Sequence, residues 1–286
     1  MGRDIVRLAG VTIGVPDPTS SAAFLETALE LSRRPENGRE HLTSDGDYGL
    51  GPPPSLLTLE QQGALQLSEV RFEFADGRDP GPLRARLERA GVRVEDDWAG
   101  GIAFADPDGL RVVCGPRRPP LDSPLPPSTV RPRRLGHVNI KVPDAPESAR
   151  FYGETVGLAL SEQVGELLYF FRAGSAHHSL GIRGNAERVN VHHLALEVPG
   201  WEYYRAFCDR LAELGHTVEY GPGRHGPGNN LFVYVLDPSS GLRVELFSDM
   251  AHIDDDEAYE PPRWESQDRV RTMNRWGPAP PASFLA

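Results

Sequence analysis

Short stretches of strictly alternating apolar and polar residues recur along the chain, the pattern of strands with one buried face. Val11, Ile13 and Val15 form one such stretch and Val138, Ile140 and Val142 another. Val70, Phe72 and Phe74 form a third, and Leu194, Leu196 and Val198 a fourth. The first of each pair leads into a predicted short helix. In the second case Asp144 and Glu147 make a capping box, with Pro146 early in the first turn. Extended segments are predicted at Tyr169–Arg172 and His178–Ile182. A longer amphipathic helix is predicted after Trp201, with Tyr204, Phe207, Leu211 and Leu214 on one face and Gly215 at its C-cap.

These elements belong to a repeat. The run from Arg7 to Asp17 returns as Arg134 to Asp144, an offset of 134 − 7 = 127 residues. Asp106-Pro107-Asp108-Gly109-Leu110-Arg111-Val112-Val113 returns as Asp237 to Glu245, with one extra residue in its turn. Between the copies, Gly115 to Arg134 holds seven prolines and reads as a linker. The expected organisation is an N-terminal domain at 1–114, a linker at 115–134, a second domain at 135–250 and a tail at 251–286. Each half runs strand–helix–strands twice, which makes four modules of one shape.

Strand alternation also sorts the polar residues. Opposite the apolar faces lie His137, Asn139 and Lys141; then His193, Ala195 and Glu197; then Arg243, Glu245 and Phe247. Under strict alternation His192 and His193 cannot both face the same side, and the pattern selects His193. A lone strand histidine is ordinarily structural. Three strands sending His, His and Glu to one side are a different matter, because curved sheets bring them together. Two imidazoles and one carboxylate with open positions suit non-haem iron(II). The first half carries Gly10, Glu69 and Val113 at the matching positions, so one metal site is expected, in the second half.

Composition narrows the setting. The 286 residues have 39% hydrophobic and 25% charged content and a formal charge of −11, which argues against nucleic acid or an anionic membrane as partner. No apolar window approaches the roughly 18 residues of a membrane helix, and no signal peptide is expected after Met1. Two cysteines, Cys114 and Cys208, make no disulfide framework, so a cytoplasmic location is expected. Eight of the nine histidines lie after residue 130, which directs the search for chemistry to the second half.

Several motifs there resemble one family: Leu135-Gly136-His137-Val138, Ala176-His177-His178, His192-His193-Leu194-Ala195, and Gly221-Pro222-Gly223-Arg224-His225-Gly226. Tyr234 and the closing Asp237-Pro238…Gly241…Glu245-Leu246 fit the same pattern. They are similar to type I extradiol dioxygenases of the vicinal oxygen chelate superfamily, nearest to the catechol 2,3-dioxygenases. The resemblance covers nearly all of 135–250 and rests on the repeat over 1–114. It implies an α+β fold of four βαβββ modules forming two tandem domains. It implies iron(II), or manganese(II), on His137, His193 and Glu245. It also implies His178 as an acid–base histidine, chosen over His177 by the family match alone, with His225 and Tyr234 on the substrate oxygens. The implied substrates are a catechol and dioxygen, the product a semialdehyde from cleavage beside the diol, and the implied assembly a homo-oligomer.

Some features depart from the pattern. The additional serine in Asp237-Pro238-Ser239-Ser240-Gly241 bears on the register of Glu245. The run Asp254–Glu257 reads as a solvated segment, and the aromatic, proline-rich tail is a candidate lid. The rival readings are a metal-dependent isomerase or hydrolase on the same scaffold, and a metal-free protein that binds a small aromatic.

Overall fold

Aspartate and proline open matching helices in the two halves. The Asp17 carboxylate accepts from the Ser20 N–H at 3.0 Å and Asp144 from the Glu147 N–H at 2.9 Å, each followed by proline in the first turn. A computed structural model describes residues 4–44, 55–75, 79–97, 100–116, 131–265 and 272–285. Its first half contains β1 (Ile5–Val15), α1 (Pro18–Leu29), β2 (Ser32–Glu36), β3 (Arg39–Thr43) and β4 (Leu57–Gln61). These are followed by β5 (Gln66–Phe74), α2 (Gly81–Arg89), β6 (Val94–Asp97), β7 (Gly101–Ala105) and β8 (Arg111–Gly115).

The second half repeats the sequence of elements. It has β9 (Arg134–Lys141), α3 (Ala145–Arg150), β10 (Ala159–Val164), β11 (Leu168–Arg172) and β12 (Leu180–Arg183). Then come β13 (Asn190–Glu197), α4 (Trp201–Glu213), β14 (Tyr220–Arg224), β15 (Leu231–Leu236) and β16 (Arg243–Ser248), with a short β17 (Arg263–Trp264) and α5 (Ala282–Leu285) in the tail. The chain is thus an α+β protein built from the βαβββ unit four times over. Most of the proline-rich linker, residues 117–130, lies outside the described residues.

Each half makes one sheet. The first has the order β2-β3-β4-β1-β5-β8-β7-β6 and the second β14-β15-β16-β13-β9-β12-β11-β10-β17. In both, the leading strands of the two modules pair antiparallel at the centre: β1 with β5 and β9 with β13. Val138, Ile140, Leu194, Leu196, Val244 and Leu246 are all buried in the core. Burying such side chains is worth about 1.5–3 kcal/mol each, which fixes the face each strand turns to the helices. The opposite faces of β9, β13 and β16 are left to line a cup.

The two halves share one continuous apolar core, and hydrogen bonds cross between them. Tyr152 donates to the Asp106 carboxylate at 2.8 Å, Tyr203 to the Leu29 carbonyl at 3.2 Å, and Asn190 to the Leu65 carbonyl at 2.9 Å. The run Asp254–Glu257 is exposed, as expected, and Asp256 pairs with Arg172 at 2.7 Å.

Candidate metal centre

Strand registers carry His137, His193 and Glu245 to one spot. On β9 and β13, His137 sits across from Ala195 and Asn139 across from His193. On β13 and β16, Ala195 sits beside Glu245. The first half has the same registers: Thr12 faces Glu69, Gly10 faces Arg71, and Arg71 lies beside Val113. Gly10, Glu69 and Val113 therefore occupy the places of the three second-half residues. Glu69 is instead neutralised by Arg71 and Arg111, at 3.2 and 3.1 Å.

The extra serine does not disturb Glu245. Asp237 N–H donates to the Leu242 carbonyl at 2.9 Å, just as Asp106 N–H donates to Leu110 at 2.9 Å in the shorter turn. The added residue stays within the turn, where Gly241 at φ +73° keeps the left-handed conformation of its counterpart Gly109 at φ +83°.

His137 Nε2 and His193 Nε2 are 3.2 Å apart, and each lies near the same carboxylate oxygen, Glu245 Oε2, at 3.0 and 3.2 Å. All three side chains are buried. Two imidazole nitrogens and one anionic oxygen, all buried, converge on a single point between them. A dication at their centre satisfies them together. Neighbouring donors of an octahedral ion with bonds of about 2.1 Å lie about 3.0 Å apart, so the triangle fits such an ion. Among the described residues this is the one group of three or more His, Cys, Asp or Glu with metal-ligand spacing.

Electrostatics agree. Burial alone would raise the Glu245 carboxyl, but the His137 and His193 imidazoles outweigh it and hold the group well below the usual carboxylate range. Burial pushes His193 down to about 4, against the pull of Glu245. Burial likewise holds His178 well below its ordinary value, reinforced by His137, and lowers His225. The lowered Glu245 carboxyl and the lowered His193 imidazole both favour the deprotonated forms that a dication requires.

The remaining predicted residues gather around the triad. His178 lies behind His137, with ring centroids 4.1 Å apart, and its Nδ1 is 3.0 Å from His177 Nδ1. His178 lines the cavity, while His177 is buried behind it, 3.4 Å from Glu162. Tyr234, paired directly with Glu245 across β15 and β16, donates to Glu245 Oε2 at 2.9 Å. His225 Nε2 lies 2.9 Å from the Tyr234 hydroxyl, and its Nδ1 donates to the Met273 carbonyl at 2.7 Å.

One expectation from strand alternation needs correction. His192 and His193 both face the cup, because β13 carries a bulge between Val191 and His193 that sets His192 outside the ladder. Their Nδ1 atoms are 2.7 Å apart, and both residues line the cavity. Three other participants had no signal in the alternating pattern. Asn230 Nδ2 donates to Glu245 Oε1 at 2.9 Å from the loop before β15. Met273 and Phe284 come from the tail, 25 and 36 residues beyond the end of β16 at Ser248. Asn230 was visible only as an amide next to the His225 loop.

The cavity at the triad has a volume of about 180 Å³. Val164, Leu168 and Phe170 wall one side, and Met273 and Phe284 another. The described part of the tail is therefore wall as well as surface.

Comparison with known proteins gives a consistent set. Residues 134–246 match the model of the Glyoxalase/Bleomycin resistance protein/Dioxygenase superfamily. Metapyrocatechase 2 of Cupriavidus necator is 31% identical over 245 residues, 77% of this chain and 75% of that protein. A manganese-dependent 2,3-dihydroxybiphenyl 1,2-dioxygenase of Geobacillus genomosp. 3 is 31% identical over 52% of this chain and 50% of its own length. Among solved structures, a variant of homoprotocatechuate 2,3-dioxygenase from B. fuscum superposes with a TM-score of 0.83 at 22% identity. That superposition covers 99% of this chain and 82% of the other, and at such identity it bears on the fold.

Proposed function

The chain belongs to the type I extradiol ring-cleavage dioxygenases of the vicinal oxygen chelate superfamily, and we propose that His137, His193 and Glu245 hold the iron(II) ion at which it opens a catecholic ring with dioxygen. The observation that carries this assignment is the triangle of donor atoms, 3.0–3.2 Å on each edge, at the wall of a largely apolar cavity. Manganese(II) fits the same donors, and a manganese-dependent relative is known. When bound, the ion supplies Lewis acidity toward the catechol oxygens and a path for electrons from the ring to dioxygen.

The surrounding residues manage protons. His225 Nδ1 is committed to the Met273 carbonyl, so Nε2 is its lone-pair nitrogen. The Tyr234 hydroxyl reaches that lone pair and Glu245 Oε2 at 2.9 Å each. Burial beside Glu245 raises Tyr234 well above its ordinary value, so its hydroxyl stays protonated and would hold a catechol oxygen as a hydrogen-bond donor. The His225 lone pair is the nearby acceptor for a catechol proton. His178, kept neutral by burial, can take up and return one proton as the ring opens. Both dioxygen atoms enter the product, a semialdehyde formed by cleavage beside the diol. The walls at Val164, Phe170 and Phe284 favour a catechol with uncharged substituents.

No helix among the described residues is long and apolar enough to cross a membrane. With free thiols at Cys114 and Cys208, we place the enzyme in the cytoplasm, as a homo-oligomer. The deciding test is oxygen uptake by anaerobically iron-loaded protein given catechol and 3-substituted catechols. Uptake with a yellow product, lost in His193→Ala, is expected. Stoichiometric metal with no uptake on any catechol would overturn the assignment.

A further inference from the structure

Helix α5 is four residues long, too short to hold itself by its own hydrogen bonds, yet its end is gripped. Three successive carbonyls accept from three side chains of the cup: Ser283 from Arg243 Nη2, Phe284 from His192 Nε2 and Leu285 from Arg183 Nη2. Each distance is 2.9 Å. The Phe284 ring is buried against His192, Tyr220 and Tyr234.

At His192 Nε2 two neighbours make opposite demands. The Phe284 carbonyl can only accept, and so requires a proton on Nε2. The Arg183 guanidinium, with Nη1 at 3.0 Å, can only donate, and so requires a lone pair there. A neutral imidazole has one proton, so the choice at Nε2 sets the state of Nδ1. His192 Nδ1 in turn faces His193 Nδ1 at 2.7 Å, and one proton is shared between them. When His192 donates to Phe284, its Nδ1 is an acceptor and His193 must carry its proton on Nδ1. His193 Nε2 is then a lone pair aimed at the metal position. When Arg183 prevails, the order reverses: His193 Nε2 is protonated against Glu245 and cannot ligate.

We propose that the Phe284 carbonyl, acting through His192, selects the metal-ligating tautomer of His193, which makes the C-terminal segment part of the metal site. His192 is a positioning residue in this scheme, and the proposal rests on His193 being a ligand. Partners of this kind typically contribute about 10–100-fold to metal affinity.

The test is Mn(II) binding to the metal-free full-length protein, read from the electron paramagnetic resonance signal of free Mn(II). His192→Leu removes the acceptor for His193, and Phe284→Ala removes the ring that seats the carbonyl. His192→Asn keeps an acceptor oxygen near the Nδ1 position. Affinity about 10–100-fold weaker in His192→Leu and Phe284→Ala, with His192→Asn close to wild type, is the expected result. Wild-type affinity in His192→Leu or Phe284→Ala would overturn the relay. So would a His192→Asn protein as weak as the leucine variant. Wild-type protein that binds no Mn(II) would instead overturn the metal reading itself, and the relay with it.

Discussion

His193 and Glu245 lie on adjacent parallel strands but are not in register: Glu245 is beside Ala195, two residues further along, and its Oε2 reaches back to within 3.2 Å of His193 Nε2. A direct neighbour would present its carboxylate beside the imidazole ring. The two-residue stagger brings it under the ring's tip, where His137 arrives from the other side of β13. This diagonal makes the triangle, and several consequences can be measured.

Loss of any corner should empty the site. In Glu245→Gln the anionic donor becomes a neutral amide, and in His193→Ala one nitrogen is gone. Both variants are expected to purify without stoichiometric metal and to show no oxygen uptake after iron loading. Metal analysis checks the first point, and a full complement of iron in Glu245→Gln would remove that residue from the ligand set.

Proton-handling residues should behave differently. His178→Gln and Tyr234→Phe leave the three ligands intact, so metal content is expected to stay at the wild-type level. Turnover should fall by about 10²–10⁴-fold for His178 and by about 10²–10³-fold for Tyr234. Steady-state oxygen consumption at matched iron content measures both. Undiminished turnover in either variant excludes that residue from the chemistry.

Close packing around the site predicts a stability effect at Gly136. A Cβ there would overlap the Phe247 ring, which itself packs on His137 with centroids 5.1 Å apart. Gly136→Ala is expected to destabilise the protein by about 1–3 kcal/mol through overpacking. Adding Phe247→Leu should recover part of that loss. Urea unfolding of the single and double variants gives the comparison, and purely additive losses would contradict the steric account.

Away from the metal, Asp106 links stability to pH. Burial pushes its carboxyl from an ordinary 3.8 up to about 6, against the lowering effect of hydrogen bonds from Tyr152 and the Leu110 amide. The folded state therefore holds a proton that the unfolded chain releases. This contribution is fully present below pH 3.8 and is lost as pH rises through 6, the reverse of a salt-bridged carboxylate. Its size is on the order of 2–3 kcal/mol. Asp106→Asn is neutral throughout and keeps acceptor and donor for its partners. Its stability relative to wild type should therefore improve between pH 4 and pH 7. A difference that stays constant over that range would show the carboxyl to be unshifted.

Much of this protein was legible in one sequence because its information is local and repeated. Alternation gave the strands and their buried faces, since a one-residue slip would turn every apolar side chain outward. The 127-residue repeat gave the modular α+β architecture, and the triad followed from which residues shared the polar faces. The tertiary structure decided what pattern could not reach. The bulge at His192 breaks the two-residue period that sorted the histidines, and only the ladder with β9 reveals it. The stagger that puts Glu245 beneath His193 depends on the register between parallel strands, which are joined through a whole module and not by a turn. Asn230, Met273 and Phe284 reach the site through loops and a tail whose course is set by long-range packing and by three gripped carbonyls. Periodicity tells which way a side chain points from its own strand. Where two distant segments meet is set by the free energy of the whole fold, and no local pattern records it.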